Sequence, residues 1–491
     1  MKKLLKIFMW RIMMQNKNVW LFPQNSCNIN QFFITLNLFS KLNGIKRNNN
    51  IQQLLMKEHS LKGTYKPYIK KDHYNLSSAN HKIDEPRFYG AIYETSNRKI
   101  HLSSYGELLL KYKEDIKTRN KVFIGMLFTI QFNNPYKKLN DFNIYPMRLI
   151  FKLLTEPRID YKLSNIEVAH ILYYVKKLST PKDYINLIKK IIKFRKLDNK
   201  NKLQKLLPNA SQFIRNYVSC NYLFNMLCEL TITNQVKEKI NFKLQSQFRK
   251  LPTATTTKFL KLDSIYGAFL NRYLKNESIY ANIKQPQGLR SDWIRDIYNS
   301  VPPILLEEIQ EKDQMYKEFL QIPKLLVEAS VDSTKWLLFE EYIAKSFNLF
   351  TDVKAETISG PGQPDSLCHY LKENIVFCAD GKSTNKKLTS INDGRLKQHR
   401  KLYNAKYTIV ITPGYVPSAV EDIKGTKTCI ITSYCFADLI TKYIFNIYKN
   451  KQECSYEIFN DLILKNLGTD LSEKIYKIID DRLGVSIHEF K

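Results

Sequence analysis

No CxxC pair occurs in the 491 residues, and the eight cysteines are scattered. That excludes a paired-cysteine zinc site and points to a reducing compartment without a disulfide framework. Cys368, Cys378 and Cys429 lie inside apolar runs, where a free cysteine serves as a small core residue. No apolar stretch reaches the roughly 20 residues needed to cross a bilayer. Residues 1–14 are basic and apolar, but Lys6 and Arg11 interrupt them and no small-residue cleavage site follows. A secretory signal is not expected. Met13 and Met14 are alternative starts, and a cytoplasmic, prokaryotic protein with no membrane partner is the expectation. There is no GxxxxGK loop ending in Ser or Thr, no GxGxxG and no GxSxG elbow, and no two histidines have metal-ligand spacing. Nucleotide-loop, Rossmann, hydrolase-elbow and zincin chemistry therefore have nothing to stand on.

What the chain does have is positive charge. Lysine and arginine number 77 against 46 acidic residues, a formal net charge of +31. Charge of this sign and size favours a polyanionic partner through counterion release. Codon bias towards Lys, Asn and Ile accounts for part of it, so charge alone decides nothing. Hydrophobic residues make up 44% and charged residues 25%, which is globular rather than disordered composition. The length allows two to four domains.

No internal repeat is visible. Residues 88–111 read as strand, a turn at Ser96-Asn97, strand, and a helix from Ser103. Residues 142–177 read as two helices around a break at Glu156-Pro157. The second opens with Ser164-Asn165-Ile166-Glu167, a capping-box pattern, and carries Ile166, Ala169, Ile171, Leu172 and Val175 on one face. Residues 211–244 read as helix, a strand at 230–233, and a second helix. Hairpins beside short helices are winged-helix material, although a plain helical scaffold explains them equally well. Residues 199–205 form a joint or a solvated helix end. Gln285-Pro286-Gln287-Gly288 and Val301-Pro302-Pro303 punctuate the middle, with a polar helical run at 305–319.

The last third has a clear order. A helix at 333–347 precedes strands at 350–358, 366–371 and 375–380. A helix at 395–403, strands at 407–412 and 428–432, and a helix at 434–448 follow. That is αβββαβ with an added strand and helix, and it makes the whole an α/β (α+β multidomain) protein. The expected division is 14–290 for recognition, 291–327 for a helical linker and 328–491 for the chemistry.

The chemistry rests on Pro364-Asp365 and Asp380-Gly381-Lys382. Two carboxylates and an ammonium on adjacent strands can hold a hard divalent cation and a water beside a phosphodiester. Pro364-Asp365 is the only Pro-Asp in the chain. Asp-x-Lys recurs at Asp115, Asp160, Asp198, Asp352 and Asp422. Only Asp380 ends an apolar strand that pairs with a strand following Pro-Asp. Glu340 lies on the preceding helix, on the face of Trp336 and Phe347. A carboxylate there either completes a metal site or pairs with a lysine, since burying it alone is costly. Asp393 holds a second metal or caps the following helix. His399, one turn on, reads as a surface residue.

This set on αβββαβ resembles the PD-(D/E)xK nuclease superfamily. Phe339-Glu340, Gly362-Gln363-Pro364-Asp365, the strand to Asp380, and Asp393 resemble the catalytic domain of AlwI-type type IIS restriction endonucleases and their nicking relatives. Trp20-Leu21-Phe22-Pro23, Tyr89-Gly90 with 100–106, and Ile144-Tyr145-Pro146 through Tyr174 resemble that family's recognition region. The likeness spans nearly the whole chain from Trp20 and is most specific at the back. It implies an N-terminal recognition region with winged-helix subdomains, a short asymmetric site in double-stranded DNA, and Mg²⁺-dependent cleavage a few base pairs outside it, or nicking of one strand. Asp365 and Asp380 with the Gly381 carbonyl would bind Mg²⁺, Lys382 would help activate a water, and Glu340 and Asp393 would complete coordination. A transient homodimer or separate subunit for double-strand cleavage, and a cognate DNA methyltransferase, are the implied partners. Asp380 stands where relatives can carry Glu. The region 244–333 is shorter than in the nicking relatives, which leaves cutting distance and subunit arrangement open. The competing expectations are a PD-(D/E)xK nuclease of repair or of a mobile element, and an inactive winged-helix DNA-binding protein.

Overall fold

The computed structural model describes residues 19–22, 28–64, 69–70, 73–74, 76–95, 98–132, 141–245, 252–280, 297–299, 301–309, 314–358, 360, 362–450 and 454–482. The segment 1–14, the turn at Ser96-Asn97 and the punctuation at 285–288 lie outside the described residues. The chain forms two compact units. The first comprises Met1–Asn37, Asn49–Gly90 and Leu109–Lys284; the second comprises Leu38–Asn48, Ala91–Leu108 and Gln285–Lys491. This division departs from the expected 14–290, 291–327 and 328–491, because two front segments belong to the second unit.

In the first unit, strand β1 (Lys162–Ser164) runs into helix α1 (Asn165–His170). The expected capping box is present: the Glu167 N–H donates to Ser164 Oγ at 3.1 Å, and the Ser164 N–H donates to Glu167 Oε2 at 2.9 Å. The helix is shorter than its apolar spacing predicts. It ends at His170, and Leu172–Tyr174 continue as a 3-10 turn. Helix α2 (Pro181–Arg195) is closed by a second capping box, Thr180 with Asp183, and buries Tyr184, Leu187, Ile188, Ile191 and Phe194 on one side. Asp198 caps helix α3 (Asn199–Leu206), which resolves the joint at 199–205 as a helix. Helix α4 (Ala210–Glu229) leads into strand β2 (Thr233–Leu244), paired antiparallel with β3 (Thr253–Leu262); the sheet order is β1-β3-β2.

The second helix expected in 211–244 is thus a strand. Val236 and Ile240, four apart, imitate a helical face. The long pairing from Thr233↔Leu262 to Leu244↔Thr253, with register shifts between Lys237 and Ile240 and between Ile240 and Phe242, satisfies the backbone as a strand instead. The aromatic start of the chain joins this unit. Buried Trp20 donates its indole N–H to the Val175 carbonyl at 3.1 Å, and its ring meets Tyr173 at 4.6 Å.

The second unit is built on a five-stranded sheet. Helix α5 (Gln314–Ser330) and helix α6 (Trp336–Phe347) precede strands β4 (Val353–Thr357), β5 (Ser366–Tyr370) and β6 (Ile375–Gly381). Helix α7 (Asp393–Leu402), β7 (Thr408–Thr412), the short α8 (Pro417–Glu421), β8 (Thr428–Thr432) and α9 (Ser433–Asn450) complete it. The order is β8-β7-β6-β5-β4, antiparallel across β4, β5 and β6 and parallel across β6, β7 and β8. These are the expected αβββαβ elements, within a few residues at each end.

Apolar runs without alternation make β6, β7 and β8 buried strands. The Phe377 and Tyr456 rings stack at 5.0 Å, Phe377 and Tyr407 at 5.2 Å, and Phe347 of α6 meets Phe377 edge-on at 5.3 Å. Each such ring contributes on the order of 1.5–3 kcal/mol of burial, and together they fix α6 over the sheet. Cys368, Cys378 and Cys429 are buried free thiols in this core. Helix α5, expected in the linker, packs on α6 and α9. Ser330 at its end contacts Ser433 Oγ at 2.8 Å and accepts the Thr384 N–H at 2.8 Å.

A small sheet of Ile45–Lys46, Lys99–Leu102 and Ile92–Glu94 also belongs to the second unit. Asn299 joins it to α9: the Ser104 N–H donates to Asn299 Oδ1 at 3.1 Å, and Asn299 Nδ2 donates to Asp438 at 3.2 Å. Among the described residues no helix is long and apolar enough to cross a membrane.

Candidate active site

Strands β5 and β6 pair in the register Ser366↔Ala379 and Leu367↔Cys378. One residue further, Asp365 stands opposite Asp380. The carboxylates come together because the antiparallel pairing starts where Gly362-Gln363-Pro364 ends its turn. Asp365 accepts the Gly381 N–H on Oδ2 at 2.7 Å, and its own carbonyl accepts the Ile358 N–H at 3.1 Å. The Lys382 N–H donates to the Ile411 carbonyl at 2.8 Å, which anchors the lysine to β7.

Gly381 is closely packed against α6. A Cβ there would lie 2.8 Å from Ile343 Cδ1 and 3.0 Å from Phe339 Cδ1. The missing side chain lets the edge of α6 settle onto the end of β6. The same edge carries Glu340, which is buried and adds its charge to the electrostatics of Asp365. The expectation that Trp336 shares this face is overturned: Trp336 is 49% exposed, and Leu337 and Leu338 are exposed beside it. These residues fall in the first turn of α6, before the helix meets the sheet.

The charges are tightly set. Asp380 is fully buried, and among the described residues its oxygens meet only cationic side chains. Its balance comes from ion pairs with Lys382 and, at 3.5 Å, with Arg395. Lys382 Nζ also lies 3.9 Å from Asp365 Oδ2. Burial pushes the Asp365 carboxyl up to about 7; the neighbouring Asp380 and Glu340 act the same way, while Lys382 and the Gly381 N–H oppose it. A carboxyl pair so close cannot comfortably carry two charges without a cation between or beside them.

Asp393 is not with this group. Its carboxylate pairs with Arg400 at 3.1 Å and accepts Thr428 Oγ1 at 2.6 Å, while Arg400 also reaches Thr408 and Thr428 at 3.0 and 2.7 Å. It ties α7 to β7 and β8. The cap of α7 is Asn392, whose side chain accepts the Arg395 N–H at 3.1 Å. Thus both expected roles of Asp393 give way to a structural one. His399 is likewise corrected. It is 3% exposed, and both ring nitrogens are buried without a hydrogen-bond partner. Burial lowers its pKa, and Asp380 opposes that. Leu396, His399 and Arg400 share one helical face, the spacing that signals its burial. Arg395 went unmarked in the sequence. Only the placement of the cap at 392 brings it beside Asp380.

The other Asp-x-Lys carboxylates have local work. Asp115 and Asp198 cap helices, Asp160 sits at a left-handed turn, Asp352 accepts Ser455 Oγ and the Tyr456 N–H, and Asp422 accepts the Ile391 N–H.

Among the described residues no three His, Cys, Asp or Glu side chains form a metal cage. The ligands at issue are fewer: Asp365, Asp380 and the Gly381 carbonyl. They fit a hard divalent cation on one observation. A fully buried carboxylate stands beside a second carboxyl whose ionisation is suppressed. A dication relieves both, and oxygen donors suit it.

Comparison with known proteins gives the class. The family model for the N-terminal domain of the type II restriction endonuclease HgaI matches residues 15–274. The type II restriction enzyme HgaI of Avibacterium volantium is 31% identical over 490 residues, covering 96% of this chain and 99% of its own. Among solved structures, restriction endonuclease FokI is 9% identical with a TM-score of 0.29, covering 92% of this chain and 99% of its own. The BpuJ1 endonuclease binding domain, in complex with pyrene- and phenanthrene-modified DNA, is 16% identical with a TM-score of 0.37, covering 57% of this chain and 96% of its own. Those overlaps are too loose to bear on the fold. The chain is a type II site-specific deoxyribonuclease, an endonuclease of a restriction system. It belongs to the HgaI family, where its motifs had resembled the AlwI type.

Proposed function

We propose that the second unit is a PD-(D/E)xK nuclease centre that hydrolyses DNA phosphodiesters with Mg²⁺, directed by the first unit to a short asymmetric site and cutting a few base pairs outside it. The observation that carries this is the facing of Asp365 and Asp380 across β5 and β6, with Lys382 paired to both. Asp365, Asp380 and the Gly381 carbonyl hold the metal, with Glu340 completing its surroundings. When bound, Mg²⁺ supplies the charge that acidifies a water and offsets the negative charge gathering on the phosphate oxygens. Lys382 orients that water for in-line attack. Arg395, half exposed and paired with Asp380, swings from it to the phosphate. The buried walls of Phe339 and Ile343 keep the ligands in place.

One such centre serves one strand, so a single chain nicks. Cleavage of both strands takes a second copy, met transiently on DNA, or a separate subunit. A cognate methyltransferase protects the host's own sites. The β1-β3-β2 sheet beside α1 and α4 supports a winged-helix-like recognition region in the first unit. The test is digestion of a plasmid of known sequence with Mg²⁺ and mapping of the ends. Ends at a fixed offset from one short sequence, absent in Asp365→Ala and Asp380→Ala, are expected. Cleavage by either variant at ordinary Mg²⁺ would sink the centre as described.

A further inference from the structure

Helix α2 carries its apolar residues on one side and lysines on the other. Lys182, Lys189 and Lys193 stand opposite Tyr184, Leu187, Ile188 and Ile191 at helical spacing; Lys190 flanks them, and Lys196 follows at the C-cap. Lys200, Lys202 and Lys205 continue through α3. All are solvent-facing, Lys202 partly so. Among the described residues none pairs with a carboxylate. The two acids between 181 and 206 are both occupied: Asp183 accepts the Ser179 and Thr180 N–H groups at 3.0 and 2.9 Å, and Asp198 caps α3. The one arginine, Arg195, turns inward to Glu167 at 2.7 Å and to the Ile159 and Lys162 carbonyls.

This arrangement is unfavourable to the helix itself. Lys189 and Lys193 are like charges four apart on one helix, an arrangement that costs a few tenths of a kcal/mol. Lys182 stands at the positive end of the helix dipole. In α6, by contrast, Glu341 pairs with Lys345. Codon bias would scatter lysines among acids rather than align them with the acids removed. The row from Lys182 to Lys196 is about 21 Å long at 1.5 Å per residue, a span over which duplex DNA carries on the order of a dozen phosphate charges.

We infer that the lysine face of α2 and α3 is a backbone-docking surface for duplex DNA, gripping phosphates beside the recognition site. The inference rests on the restriction-endonuclease reading and places one part of its DNA interface. It requires no base readout from these residues, since lysines on phosphates position a protein without reading sequence.

The experiment measures the affinity of the full chain for a duplex, in EDTA, across a salt series from about 50 to 200 mM. The triple variant Lys189→Gln, Lys193→Gln, Lys196→Gln should lower the slope of log K against log salt by about 2 to 3, at roughly 0.9 for each phosphate no longer neutralised. Its affinity at low salt should fall tenfold or more. The arginine triple at the same positions should bind like the parent. A charge-matched control, Lys57→Gln, Lys62→Gln, Lys275→Gln, should keep the parent slope. Equal slope changes in both glutamine triples would reduce the effect to net charge and overturn the surface. An unchanged slope in the first triple, with parent enzyme that still cuts DNA, would overturn the surface alone. A parent that neither binds nor cuts duplex DNA would remove both.

Discussion

The Gly381 N–H donates to Asp365 Oδ2 at 2.7 Å, while the Gly381 Cα faces Ile343 and Phe339 with no room for a methyl group. One residue therefore orients a carboxylate and seats a helix. Gly381→Ala should push α6 away by a few tenths of an ångström and disturb the carboxylate pair. Overpacking of this kind costs about 1–3 kcal/mol. The expected result is a lowered melting temperature and a cleavage rate down at least tenfold, with DNA affinity intact. Ile343→Val in the same chain should restore part of both losses. Full activity in Gly381→Ala would show the packing there to be slack.

Asp365 gives a pH signature. Its carboxyl is raised from 3.8 to about 7, chiefly by burial and then by Asp380. The folded protein thus keeps a proton that the unfolded chain releases near pH 4. Between about pH 4 and 7 the native state binds more protons, so this group's contribution to stability falls as pH rises. Above about pH 7 the destabilisation is complete. Without divalent cations, Asp365→Asn should match the parent in melting temperature near pH 4 and exceed it by pH 8. Added Mg²⁺ should stabilise the parent at pH 8 and leave Asp365→Asn unmoved. A constant difference across pH would contradict the burial of this carboxyl.

Arg395 and His399 separate by stability. Arg395 is exposed and, among the described residues, its side chain pairs with Asp380 alone, so Arg395→Ala should leave the melting temperature within a degree or two while slowing cleavage tenfold or more at saturating DNA. His399 is a buried imidazole with no hydrogen bond, a costly arrangement. His399→Leu should raise the melting temperature and still lose activity. A lower melting temperature in that variant would reveal a hydrogen bond the histidine needs.

The subunit requirement is read from kinetics on a single-site plasmid. Nicked circles should accumulate first, and linear product should rise more steeply than first order in enzyme. Linear product formed in first order, with no nicked intermediate and no partner present, rules out one strand per subunit.

The five-stranded sheet of the second unit was legible in sequence because its signals are local. An apolar strand ending in Asp380-Gly381-Lys382 and a Pro-Asp turn into its neighbour name both the strands and their register. Glu340 was legible as a charge on an apolar face. Asp393 misled because one carboxylate at a helix start satisfies capping, metal and salt-bridge readings alike; only the distant Arg400 and Thr428 decide. His399 was misplaced because its polar neighbours, Lys397, Gln398 and Lys401, mask a narrow buried face. Trp336 failed for the opposite reason: it matches the helical period but lies one turn too early to reach the sheet. In the first unit, residues 234–244 fit a helical and an alternating pattern together. Their pairing with 253–262 could not be seen from either strand alone.

The interleaving of the chain limits how the second unit can be cut free. Leu38–Asn48 and Ala91–Leu108 belong to the second unit, tied through Asn299 and Lys442 to its helices. No single proteolytic nick, and no internal start of translation, can release that unit whole. A fragment beginning at residue 285 would lack an entire three-stranded sheet. Such a fragment would keep the Asp365 and Asp380 strands but not the sheet that Asn299 and Lys442 tie to its helices.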